Sequence, residues 1–89
     1  MKVRVHGVRR IRIEGDFIKL DALLKFAALA STGGEAKVMI QSGEVFVDGE
    51  PCLLRGKKIK SGSIVRYGGD VLVIGDMRHN AEVMDYDGK

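Results

Sequence analysis

The chain of 89 residues has no tryptophan, one cysteine, one proline and two histidines, and each scarcity closes off a class of chemistry. Cys52 has no second thiol to pair with, which excludes a disulfide-stapled secreted scaffold and makes a reducing compartment, the cytoplasm, the expected home. A zinc site needs several Cys or His ligands at short spacings, whereas His6 and His79 stand at opposite ends of the chain. No metal or cofactor is expected. The Gly-rich phosphate loop ending in Gly-Lys-Ser/Thr and the dinucleotide fingerprint are both missing. A thiol beside Leu53 and Leu54 reads as packing rather than as a nucleophile, so the chain is not expected to be an enzyme. The longest apolar run, Phe26 to Ala30, is far short of the roughly twenty residues that cross a bilayer, and no charged-then-apolar leader opens the chain.

What is present is a single small globular unit, 45 % hydrophobic and 30 % charged. The net charge of +3 hides a division: residues 1–75 carry thirteen Lys/Arg against eight Asp/Glu, and residues 76–89 carry two against four. Three segments are expected, namely a basic N-terminal arm or edge strand (1–12), a folded domain (13–75) and an acidic flexible tail (76–89).

Ile11-Arg12-Ile13-Glu14 alternates like a half-buried strand, and Gly15-Asp16 turns. Leu20, Leu23, Leu24, Ala27 and Ala28 then share one helical face, predicting a first helix from Lys19 to about Ala30. Thr32-Gly33-Gly34-Glu35 has the form of a capping box, in which the Thr hydroxyl accepts from the third helical amide and Glu35 reaches back to the Thr32 amide. A second helix should start at Gly33, bury Ala36, Met39 and Ile40, and close at Gly43. Gly33, Lys37 and Gln41 share the opposite face. Two glycines in a first helical turn cost roughly 1 kcal/mol each relative to Ala, which points to a purpose other than helix stability.

Val45-Phe46-Val47 followed by Asp48-Gly49 predicts a hairpin with a two-residue turn, and Pro51 belongs at an edge or bulge. From Pro51 to Gly69 there are Arg55, Lys57, Lys58, Lys60 and Arg66 and no acid. Ile64–Tyr67 and Val71–Ile74 read as further strands, separated by Gly68-Gly69-Asp70.

This order of elements resembles the S-four RNA-binding domain, named after ribosomal small-subunit protein four and also called the αL motif. The resemblance rests on Leu20-Asp21, Thr32-Gly33-Gly34-Glu35-Ala36-Lys37, Gly43, Val45-Phe46-Val47-Asp48-Gly49 and Lys60-Ser61-Gly62-Ser63, with no insertion between them. Leu24-Lys25-Phe26-Ala27, the Thr32-Gly33-Gly34 cap and Arg55-Gly56-Lys57-Lys58 are most similar to small stand-alone bacterial members. The resemblance implies an α+β fold of two antiparallel helices packed on a small antiparallel sheet of four to five short strands, and RNA binding without catalysis. Two departures stand out. Many relatives have Arg directly after the helix-two cap where this chain has Gly33, and the usual Asn and Asp of the two turns are here Asp48 and Ser63.

In such a fold the helix-two face and the basic loop lie on one side. The candidate RNA-binding residues are therefore Lys19, Gly33, Gly34, Lys37, Gln41, Arg55, Lys57, Lys58 and Lys60, with the two glycines offering backbone amides to phosphate. The bland competitor is a solvated helix face and loop. Clustered cations reward phosphate contact by releasing condensed counterions, with a log–log salt slope of about −0.7 to −0.9 per contact. Phe17, Phe26, Phe46, Tyr67 and Tyr86 fall mostly at pattern-buried positions, which disfavours a stacking platform and points to structured RNA, ribosomal RNA first, read by shape. A monomer, no membrane and no small-molecule substrate complete the expectation. The alternative is a small protein-interaction adaptor. A weaker one is attachment to an acidic membrane surface through residues 2–12.

Overall fold

Helix α2 (Gly33–Gln41) starts where its local chemistry places it. The Thr32 hydroxyl accepts from the Glu35 amide at 3.0 Å, and the Glu35 carboxylate accepts in return from the Ser31 amide at 2.6 Å. The capping box is thus closed one residue earlier than the Thr32 amide expected for it. Gly43, at φ +84°, ends the helix with its N–H donating to the Ile40 carbonyl.

The computed structural model describes residues 7–76. Residues 1–6 of the expected arm and 77–89 of the expected tail lie outside the described residues. In chain order the elements are β1 (Gly7–Ile13), β2 (Ile18–Lys19), α1 (Leu20–Phe26), α2, β3 (Val45–Val47), β4 (Glu50–Pro51), β5 (Lys58–Ile59), β6 (Ile64–Tyr67) and β7 (Asp70–Asp76). Five strands form one sheet in the order β1-β7-β6-β3-β4, and β2 pairs with β5 in a separate two-stranded ribbon.

The sheet is mixed, which corrects the expectation of an antiparallel one. β1 runs parallel to β7, from Gly7 beside Asp70 to Ile13 beside Asp76, whereas β3–β4, β3–β6 and β6–β7 are antiparallel. Parallel neighbours need a long crossover between them, and both helices and the β3–β6 hairpins supply it. β1 is longer than the alternation at Ile11–Glu14 suggested, because pairing with β7 recruits residues that have no inward apolar face of their own.

α1 is shorter than predicted. It ends at Phe26, and Ala28 adopts a left-handed φ of +63°. Ala28 N–H donates to the Lys25 carbonyl and Leu29 N–H to the Leu24 carbonyl, the paired bonds of a Schellman closure. Arg9 on β1 donates to the Ala27 carbonyl at 2.7 Å, adding a cation where the helix dipole is negative. Leu29 and Ala30 then turn inward and are buried, while Ala28 is exposed rather than on the core face.

One hydrophobic cluster joins the layers. Leu20, Leu23 and Leu24 of α1 and Ala36, Met39 and Ile40 of α2 meet Ile11, Ile13, Val45, Val47, Val65, Leu72 and Ile74 from alternate positions of the sheet. Cys52 packs half-buried against this cluster, with its Sγ 3.7 Å from the Leu54 carbonyl. The architecture is α+β.

Candidate nucleic-acid interface

The start of α1 organises the basic loop. A helix leaves its first amides without internal partners, and here two of them are met by the loop's backbone. Leu20 N–H donates to the Lys57 carbonyl at 2.8 Å and Asp21 N–H to the Arg55 carbonyl at 3.0 Å. Ala22 N–H donates to the Asp21 carboxylate at 2.8 Å. Residues 55–57 are therefore fixed to the helix by their main chain, leaving the side chains of Arg55 and Lys57 exposed.

The ribbon of β2 and β5 carries the next two cations. Ile18 lies opposite Ile59 and Lys19 opposite Lys58. Ile59 is buried and Ile18 half-buried, so alternation places both lysines on the outer face. Like charges directly opposite each other on a strand pair oppose folding by a few tenths of a kcal/mol or more. Local conflicts of that kind concentrate at functional sites. Lys58 Nζ stands 4.9 Å from the centroid of the Phe17 ring, a cation–π contact that holds the ammonium at the surface.

Arg55 connects this ribbon to α2. Its guanidinium Nη2 lies 4.0 Å from where a Cβ on Gly33 would stand, so the glycine at the helix start borders the basic loop. Lys37 and Gln41 follow Gly33 at intervals of four along the exposed stripe of the same helix. Nothing in the contacts places Lys37, Gln41, Gly34 or Lys60 against the loop cations themselves. Lys60 is exposed beyond Ile59, and its carbonyl accepts from Ser63 N–H at 3.1 Å in the turn leading to β6.

The basic loop has no acid in its own sequence, but the fold sets one beside it. Asp21 Oδ2 is 3.1 Å from Arg55 Nε, in a pair whose side chains are 49 % exposed for Arg55 and 20 % for Asp21. The partner comes from 34 positions away, so a scan of the loop's neighbours in sequence could not find it. Arg55 contributes a compensated charge with further N–H groups on its fork, and the net positive charge rests on Lys19, Lys57 and Lys58.

The reading of the aromatics is corrected. Phe26 is 65 % exposed and Phe17 38 % exposed. Both line a groove of about 350 Å³ with Arg12, Ile13, Glu14 and Ile18. Phe26 is the last residue of α1 and lies off the face that carries Leu20, Leu23 and Leu24, which leaves its ring outside. Among the described residues no group of three or more His, Cys, Asp or Glu could hold a metal ion, and no helix is long and apolar enough to cross a membrane.

A family model described as the S4 domain matches residues 11–75, which takes in β1 from Ile11, both helices and all but the last residue of β7. The chain is also similar to a Bacillus subtilis (strain 168) protein described as "Probable ribosome maturation protein RlbA". The two are 37 % identical over 59 residues, which cover 66 % of this chain and 83 % of the relative.

Proposed function

The chain belongs to the S4 domain family, and on that premise we propose that it is a non-catalytic RNA-binding module that docks a basic face on structured ribosomal RNA during ribosome maturation. The observation that carries the reading is the facing pair Lys19 and Lys58 on the β2–β5 ribbon, continued by Lys57 and by Arg55 beside the start of α2. Cations set opposite one another at a cost to folding need anions from outside the chain, and successive backbone phosphates supply them at such a spacing. Lys37 and Gln41 extend the face along α2, and Lys60 extends it beyond Ile59.

Gly33 borders this arrangement. The Arg55 fork lies within van der Waals reach of a Cβ at this position, so the cation beside the helix start comes from the loop and not from residue 33. The capping box works against direct phosphate binding by the amides of Gly33 and Gly34, because it brings the Glu35 carboxylate to the same helix end. Their contribution is close approach of the RNA backbone rather than charge.

The relative's name favours the ribosome as the setting. The module acts as a monomer in the cytoplasm, by binding alone. Cross-linking the full chain to RNA in cells and sequencing the attached fragments tests this. Enrichment of ribosomal RNA is expected; enrichment of transfer or messenger RNA, or of none, contradicts it.

A further inference from the structure

The groove between the start of β2 and the end of α1 is not used by a surface that reads only shape and phosphates. Two large aromatic side chains are left outside the core there, although 17 hydrophobic residues of the described chain, Ile13 of this groove among them, are buried. Phe26 and Phe17 line the groove, and Arg12 and Glu14 add hydrogen-bonding groups to its wall. The aromatic wall also carries charge, since the Lys58 ammonium stands over Phe17. Lys58 is the same residue that faces Lys19 in the proposed phosphate-binding ribbon. An apolar slot and a row of cations are therefore joined through one residue.

We infer that this groove receives an unpaired base of the bound RNA, stacked against Phe26 and Phe17, while the phosphate beside that base is held by Lys58. The inference rests on the RNA-binding reading above and adds to it a ligand class: RNA with a bulged or looped-out nucleotide. A base presents a π-face to the rings and a polar edge to Arg12 and Glu14. Lys58 over Phe17, with Lys19 opposite it, places positive charge at the edge of the groove for the backbone beside that base. An apolar peptide would match the rings and leave the lysines unanswered.

The test uses the full chain with two probes, a short fully paired RNA duplex and the same duplex carrying one bulged 2-aminopurine nucleotide. Stacking of one base on aromatic side chains favours the bulged duplex by roughly tenfold in affinity, and the bulged base's fluorescence should fall on binding. Phe26→Leu should abolish both the preference and the quenching while leaving duplex affinity within about twofold. Phe26→Tyr should keep both, because it retains a ring. Phe26 is largely exposed, so its replacement leaves the fold intact. Phe17→Leu gives an independent second reading of the same wall. Equal affinity of the wild-type chain for the two probes, or a preference that survives Phe26→Leu and Phe17→Leu, overturns the inference and leaves the RNA-binding reading standing. Failure to bind either probe overturns both.

Discussion

The carboxylate of Asp48 accepts a hydrogen bond from the Ser63 hydroxyl at 3.3 Å and another from the Ile64 amide at 2.9 Å. The two turn positions at which this sequence departs from its family's usual residues thus meet each other. The β3–β4 turn, with Asp48 at φ +52° and Gly49 at φ +91°, is thereby tied to the turn that leads into β6. A hydroxyl at position 63 donates to a carboxylate at position 48, whereas two carboxylates there would repel. Asp48→Ala should lower the unfolding free energy by about 2 kcal/mol, through the loss of both hydrogen bonds to the carboxylate and a left-handed backbone that Ala tolerates poorly. Asp48→Asn retains an acceptor and the tolerance of positive φ, and should cost less than about 1 kcal/mol. Urea unfolding of both variants checks this pair of values.

Ala28 offers a gain instead of a loss. Its left-handed φ of +63° closes α1 although it carries a Cβ. Ala28→Gly should raise stability by about 0.5–1 kcal/mol, the relief of the strain exceeding the added freedom of the unfolded chain. Ala28→Val should lower it. The urea midpoints should move in opposite directions.

Asp21 restrains Arg55, and removing its charge should strengthen RNA binding. Asp21→Asn keeps an acceptor for the Ala22 amide but leaves the guanidinium uncompensated. Affinity for ribosomal RNA at low salt should rise a few-fold, and the log–log salt slope should steepen by up to about 0.9. The exposed ion pair is worth about 0.2–1 kcal/mol, so the loss of stability should be small. Titrations of both chains across a salt series give the two slopes directly.

The parts legible in the sequence are those set by neighbours. The Thr32–Glu35 cap, Gly43 and the Asp48-Gly49 turn lie where local chemistry required them, because each needs only residues within a few positions. The stretch Ala27-Ala28-Leu29-Ala30 is made of good helix formers, and nothing in it announces a stop. α1 ends there because Arg9 and the burial of Leu29 override propensity. Phe26 is exposed because its place in the helical period lies off the face that carries Leu20, Leu23 and Leu24. The parallel β1–β7 pairing, the Arg55–Asp21 ion pair and the facing Lys19 and Lys58 all join residues dozens of positions apart. The basic residue types of the candidate site could be read in advance; their partners needed the fold.

The salt dependence of ribosomal RNA binding by the wild-type chain and by the combined variant Lys19→Gln, Lys57→Gln, Lys58→Gln bears most directly on the phosphate-binding ribbon. Neutral amides of similar length relieve the facing pair and give up the Lys58–Phe17 contact, effects of similar size and opposite sign, so the thermal midpoint should stay within a few degrees. The slope should flatten by about 2 to 3, at about 0.7 to 0.9 for each of the three lost contacts, with affinity falling at least tenfold at low salt. Equal slopes and equal affinities for the two chains would contradict it.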